Sequence, residues 1–221
     1  MDIKEVIKNR HSVRRFKPKQ IEEEIKEQLD ACAERINQDS GLHIQVIYDE
    51  PDCFNSFLAH YGKFQGVMNY IALVGKKNDT KLEEKCGYYG EKLLLTAEGL
   101  GLNSCWVGGT YGKRKCSANI GPDEKLVCVI ALGYGEYEGY KHKSKEVSKL
   151  CNVDVGEMPV WFQNGVKAAM MAPTALNQQK FFIEAREDGT VRITAKKGFF
   201  TKVDLGIVKY HFEVVSGHKV K

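Results

Sequence analysis

"MAPTALNQQKFF", residues 171–182, joins the end of an apolar helical pattern to the start of a strand pattern. Pro173 stops the helix, because proline lacks an amide hydrogen and its ring clashes with the preceding turn. Thr174, Asn177, Gln178 and Gln179 follow. Asn and Gln carry donor and acceptor together, so they can read the edge of a heteroaromatic ring. The same residues also make an ordinary helix-to-strand loop, and the choice needs the rest of the chain.

A second marked stretch lies far upstream. "RHSVRRF", residues 10–16, crowds three arginines and a histidine around Ser12. Arg grips phosphate with a planar, permanently charged fork, and a serine hydroxyl adds a donor. In an extended segment Arg10, Ser12 and Arg14 share one face, while Val13 and Phe16 can anchor the segment to a core. A solvated basic turn between two helices is the plainer reading. A third stretch, "GLGLNSCWVGGTYG", places Gly108 and Gly109 where a backbone can approach a flat ligand and donate N–H groups to it. It is neither a dinucleotide fingerprint nor a Walker loop, and a flexible turn serves equally. In "YKHKSKEV", residues 140–147, Lys143 and Lys145 can neutralise a phosphate or form a solvated run.

Bulk properties narrow the class. The chain has 221 residues, 43% hydrophobic and 28% charged, with a net charge of +4, which suits an ordinary globular domain or two. That excess is mild and is offset by stretches such as "IEEEIKEQLD", so no nucleic-acid partner is expected. Seven cysteines without a CxxC argue against a disulfide framework and a zinc site. A reducing, cytoplasmic setting is expected, with no signal segment and no membrane span.

Periodicity predicts helices over "DIKEVIKNR" and "QIEEEIKEQLDACAERI", then a strand in "IQVIYDE". A loop or short helix follows in "PDCFNSFLAHYGKFQG". "VMNYIALVGK" reads as a strand, "KLEEKCGYYGEKLLLTAEGLGL" as a long helix and "SCWVGGTYG" as a glycine-rich turn. "EKLVCVIALGYG" is apolar throughout, a strand buried on both faces. Beyond it, "VWFQNGVKAAMMA" is helical, "KFFIEAREDGTVRITAK" is a hairpin about Asp188-Gly189, and "DLGIVKYHFEVVSGH" is a last helix. Gly90 and Gly206 stand 116 residues apart, as do Gly101 and Gly217, whereas Ile47 and Ile183 stand 136 apart. Helix, strand, strand, helix thus occurs twice, which predicts an internal duplication. The expected division is a first half at 1–136, a linking or wrapping segment at 137–158, and a shorter second half at 159–221.

Together these stretches resemble the flavin-dependent nitroreductase family over most of the chain. That family opens with Arg-x-Ser-x-Arg/Lys, matched by Arg10-His11-Ser12-Val13-Arg14. Its next signature, Ala-Pro-Ser-x-x-Asn-x-Gln-Pro, is missing from the corresponding "RINQDSGLHIQVI". A close version stands instead at Ala172-Pro173-Thr174-Ala175-Leu176-Asn177-Gln178-Gln179, with Lys180 in place of the final proline.

In ordinary members these two segments come from different subunits of a dimer. The resemblance therefore implies a single-chain pseudo-dimer, monomeric or dimerising further, with an α+β fold: an α/β/α sandwich of two tandem half-domains. It implies FMN as cofactor, NAD(P)H as donor and a small-molecule acceptor such as a nitroaromatic or quinone. Carried over, Arg10, His11, Ser12 and Arg14 meet the phosphate and ribityl chain. Pro173, Thr174 and Asn177 form the second loop, Gly108 and Gly109 lie near flavin N5 and O4, and Lys143 and Lys145 close on the phosphate. No catalytic side chain is implied. One intact site per chain is expected, since the second half has no Arg-x-Ser-x-Arg. A flavin-binding protein without NAD(P)H turnover, or a basic anion-binding module, is the alternative.

Overall fold

The structure, a computed structural model, describes residues 2–221. The chain forms two compact units. One comprises the N-terminal segment through Asn9, Glu83–Glu91 and His142–Lys221; the other comprises Arg10–Leu82 and Lys92–Lys141.

The second of these units carries a four-stranded antiparallel sheet. Its strands are β1 (Gln45–Ile47), β2 (Asn69–Lys76), β3 (Asn103–Val107) and β4 (Glu124–Gly133), in spatial order β1-β2-β4-β3. β2 and β4 read as continuous apolar runs because both faces are covered. One face presents Tyr70, Ala72, Val74, Cys105, Val107, Val129 and Ala131, packed with Val13, Phe16, Phe54 and Phe64. The other carries Ile71, Leu73, Cys128, Ile130 and Leu132, all buried. Helix α2 (Glu23–Ser40) packs against β1 on its Leu29, Cys32, Ala33 and Ile36 side. Each such apolar side chain contributes about 1.5–3 kcal/mol when fully buried. Residues 104–107 belong to β3, not to a turn: Ser104 to Val107 pair with β4, and the glycine-rich turn starts only at Gly108. The stretch 51–66 holds a 3-10 turn at Pro51–Cys53 and the five-residue helix α3 (Phe57–Tyr61).

The first-listed unit is mainly helical. Helix α1 (Ile3–Asn9) packs against α5 (Val160–Met170) and α6 (Thr201–Ser216), and the hairpin β5 (Phe181–Ala185) and β6 (Val191–Ala195) packs against α6. Helix α4 (Leu82–Gly99) contributes its Glu83–Glu91 stretch to this unit. That stretch meets α6 at glycines. A Cβ on Gly206 would overlap the Glu84 carbonyl oxygen and lie 2.6 Å from Tyr88 N. Lys209 and Glu84 pair at 2.5 Å beside this crossing. Deeper in, His211 and Glu91 are both fully buried and meet at 2.7 Å. His211 Nδ1 lies 3.0 Å from the Ala168 carbonyl, which only accepts, so Nδ1 carries a proton. The short Nε2 to Glu91 Oε1 contact then requires a further proton shared between the two groups.

Residues 137–158 form no strand and no α-helix; their only regular pieces are 3-10 turns at Val147–Lys149 and Val155–Glu157. All seven cysteines are free thiols. Among the described residues no helix is long and apolar enough to cross a membrane, and no cluster of three or more His, Cys, Asp or Glu is placed to hold a metal.

Candidate functional site

Residues 10–17 run extended along the free edge of β3. Val13 N donates to Ser104 O (2.9 Å), Phe16 N to Gln65 O (3.0 Å), Gln65 N to Arg14 O (2.9 Å) and Lys17 N to Tyr134 O (2.7 Å). These bonds fix the alternation expected of the segment. Val13 and Phe16 enter the core. Arg15 turns away to Glu136 Oε2 (3.6 Å) and the Tyr137 ring. Arg10, Ser12 and Arg14 act together on one buried point, the Cys105 thiol. Burial pushes that thiol up, opposed by the Arg14 charge, a hydrogen bond with Ser12 and the Arg10 charge. His11 lies beneath Gly139, where a Cβ would come within 2.5 Å of the His11 Cβ; glycine also suits the φ of +85° there.

Arg10 is the most unusual of these residues. It is 4% exposed, and its Nε and Nη1 are buried without a hydrogen-bond partner among the described residues. A buried guanidinium left in that state costs several kcal/mol (on the order of 3–5). A phosphate oxygen would offer the acceptor that this geometry lacks among the described residues. Arg14 is exposed, with its guanidinium 5.8 Å from the centre of the Phe64 ring.

Phe64 leads to a cavity of about 370 Å³, lined by Phe54, Asn55, His60, Phe64, Gln65 and neighbouring apolar groups. Aromatic walls with a few polar groups suit a planar, heteroatom-rich ligand. Reading the sequence left this stretch as loop or short helix and named none of its residues. A usable signal was present: Phe54-Asn55 and Phe64-Gln65 each set an aromatic beside an amide. Gly108 and Gly109 follow β3, and a Cβ on Gly109 would meet nothing within 4 Å. Thr110 packs on Gly62, two residues before Phe64.

The other unit holds the remaining candidates, and it brings them together. Asn177 Nδ2 donates to Lys143 O (2.9 Å), as does Gln179 Nε2 (2.8 Å). Gln179 Oε1 accepts from Lys145 N (2.8 Å), and Lys145 Nζ donates to Gln178 O (2.6 Å). Thr174 Oγ1 accepts from Gln179 N (3.0 Å), which closes the loop on itself after Pro173. The loop is strained: Leu176, Asn177 and Gln179 have φ of 54°, 51° and 45°, a region costly for residues with a Cβ. Leu176 is also 91% exposed. Gln178 and Gln179 do not offer their amides to a ring edge as expected. Gln179 is spent inside the loop, and Gln178 Nε2 donates to Asp204 Oδ2 (2.8 Å) and Phe199 O (2.7 Å). Lys145 places its ammonium on loop carbonyls, whereas Lys143 is exposed. Asn177 retains one further donor and one further acceptor.

Asp204, in the first turn of α6, supports the loop from below. It accepts from Ala175 N (2.9 Å) and from Gln178. Burial pushes its carboxyl up to about 6 from 3.8, against those two hydrogen bonds. A carboxyl raised in the folded state binds its proton more tightly there than when unfolded. Its contribution is therefore complete below about pH 4 and is lost as the pH rises through about 6. Unfolding free energy of the wild type should fall across that window relative to Asp204→Asn, by about 2–3 kcal/mol. Urea titrations of both proteins at several pH values measure the difference, and parallel profiles would refute it.

An antiparallel sheet with an extended basic segment along its edge and a helix-to-strand Pro-Thr-x-x-Asn loop defines an α+β fold of nitroreductase type. The family model described as "Putative TM nitroreductase" matches residues 2–216; the chain belongs to this family. Among solved structures, a protein of Thermotoga maritima MSB8 described as a putative nitroreductase shares 23% identity with a TM-score of 0.69. The match covers 97% of this chain and 83% of that one. A putative nitroreductase of Desulfovibrio desulfuricans, solved in complex with FMN, shares 18% identity at a TM-score of 0.54, over 68% of this chain and 95% of that one. A nitroreductase-like protein of Streptococcus mutans shares 14% at 0.55, over 68% and 96%. No curated protein matches the chain.

Proposed function

We propose that the protein is an FMN-dependent oxidoreductase that takes a hydride from NAD(P)H and passes reducing equivalents to a small acceptor by ping-pong turnover. The observation that carries this reading is the buried, unsatisfied guanidinium of Arg10 in an Arg-x-Ser-x-Arg segment, beside a chain match to a nitroreductase family. FMN, when bound, supplies the two-electron redox chemistry. Arg10, Ser12 and Arg14 hold its phosphate end, and His11 fixes the segment under Gly139. Gly108 and Gly109 leave open backbone for a ring edge, and Phe54, Asn55 and Phe64 offer a slot for a planar group. Positive charge from Arg14 favours a more negative bound cofactor, which raises its potential. The acceptor is a small molecule such as a nitroaromatic or quinone.

The proposal includes a single-chain pseudo-dimer built from two tandem halves, 1–136 and 159–221 joined by 137–158, monomeric and cytoplasmic. Pro173, Thr174 and Asn177 then serve the same flavin as the Arg10 segment, with Lys143 at the phosphate. Support comes from the order of the motifs along the chain. Solved relatives matched over nearly their whole length also use only about two-thirds of it. The free thiols suit a reducing compartment.

Anaerobic NADPH or NADH added to the FMN-loaded protein should bleach the flavin absorbance, and a nitroaromatic or quinone should restore it. Persistent yellow colour would instead favour a flavin-binding protein without turnover, a reading that Lys180 in place of the family's proline keeps in play. Asn177→Ala should weaken FMN binding about tenfold, the loss of one hydrogen bond at roughly 1.4 kcal/mol. Unchanged affinity in a fluorescence titration would remove the second segment from the site.

A further inference from the structure

Beneath the loop that follows Gly108 and Gly109, two thiols and a phenol meet, and none of them serves the flavin reading. Cys53 is fully buried at the end of the Pro51–Cys53 turn, and Cys116 is half-buried just after the Lys113–Lys115 turn. The two turns pack on one another, with Gly112 N donating to Cys53 O at 2.7 Å. Tyr70, buried on β2, brings its hydroxyl to the same place. It accepts from Ser117 N at 2.9 Å, and Cys116 packs against the buried cluster that holds both Cys53 and Tyr70. The Cys53 carbonyl is thus tied to the turn that precedes Cys116, and the residue after Cys116 is tied to Tyr70 in the same cluster.

We propose that Cys53 and Cys116 form a peroxide-responsive dithiol that closes to an intramolecular disulfide. Their environments divide the labour. Burial, with Cys116 beside it, pushes the Cys53 thiol up to about 12, so Cys53 does not meet peroxide as a thiolate. Cys116 reaches solvent and is attacked first. Its sulfur takes one oxygen of hydrogen peroxide as the O–O bond breaks, and its proton leaves with the other oxygen as water. Cys53 sulfur then bonds to Cys116 sulfur as the S–O bond breaks. The Cys53 proton joins the departing hydroxide, giving a second water. The sulfur pair loses two electrons and the peroxide gains two. The bond would tie the turn leading into Phe54 and Asn55, in the cavity wall, to the loop after Gly109. This inference does not depend on bound flavin.

The test treats the purified full-length protein with one equivalent of hydrogen peroxide. Free thiols are then blocked with N-ethylmaleimide, and the non-reduced digest is mapped by mass spectrometry. The expected product is a Cys53–Cys116 linked peptide within a monomeric chain, two of the seven thiols lost, and full recovery with dithiothreitol. Cys53→Ala should leave a dimedone-reactive sulfenic acid at Cys116. Both cysteines remaining alkylated in the wild type, a link to any other cysteine, or a bond between chains would overturn the proposal. The wild-type map decides the matter even if Cys53→Ala folds poorly.

Discussion

Arg10→Met should make the flavin-free protein more stable while lowering its FMN affinity by about a hundredfold. The two effects have one cause. Arg10 is buried, and its Nε and Nη1 find no partner among the described residues. An uncompensated buried cation is costly, and an apolar side chain of similar length removes that cost; comparable replacements gain about 1–4 kcal/mol. With phosphate present the balance reverses. Truncating one partner of a buried, hydrogen-bonded charge pair costs about 2–5 kcal/mol, and about 3 kcal/mol is a hundredfold in affinity. A purely structural arginine would give the opposite first result, because its loss would destabilise the empty protein. Urea denaturation of the flavin-free variant and a flavin-fluorescence titration read the two signs separately.

Gly206→Ala is the largest expected loss of stability. The added methyl would overlap the Glu84 carbonyl and lie 2.6 Å from Tyr88 N, and both are helix backbone that cannot rotate away. Gly87 faces the same crossing, with a Cβ there reaching 2.9 Å from the Val203 carbonyl carbon. The helices must separate, which strains the Lys209–Glu84 pair and the buried Glu91–His211 contact. Overpacking costs about 1–3 kcal/mol and occasionally more. The better helix propensity of alanine returns up to about 1 kcal/mol, but displacement of a buried ionisable pair adds to the penalty. A net loss of about 3 kcal/mol should appear in the denaturation midpoint. Gly217→Ala, whose Cβ meets nothing within 4 Å, disturbs no helix contact and should cost less, through its φ of +73° alone.

The long elements were legible because their patterns are long. The apolar runs of β2 and β4 and the helical spacing in α2, α4 and α6 match the observed elements closely. The hairpin about Asp188-Gly189 matches as well. Shorter pieces misled. In "SCWVGGTYG" two adjacent glycines outweighed four strand residues. α3 has five residues, too few for a period of 3.6 to declare itself, and its Phe57 and Tyr61 point outward while Phe54 and Phe64 are buried. α3 therefore shows no periodic signal, and only the aromatic-amide pairs Phe54-Asn55 and Phe64-Gln65 mark the cavity wall in the sequence. The extended course of residues 10–17 and the core positions of Val13 and Phe16 were legible. Nothing local predicted that Arg10 would be the buried one, since its burial depends on elements distant in sequence. The partners of Gln178 and Gln179 were hidden for a related reason: Asp204 and the Lys143–Lys145 backbone lie 26 to 36 residues away. The Glu91–His211 pair spans 120 residues and sits inside two ordinary helical patterns.

One chain is proposed to carry one complete flavin site. Native mass spectrometry of the full-length protein, purified with FMN and exchanged into volatile buffer, tests it most directly. The expected species is a monomeric chain carrying a single FMN, with Arg10→Met flavin-free under the same conditions. A chain that takes up no FMN, or that holds it only as a dimer, would contradict it.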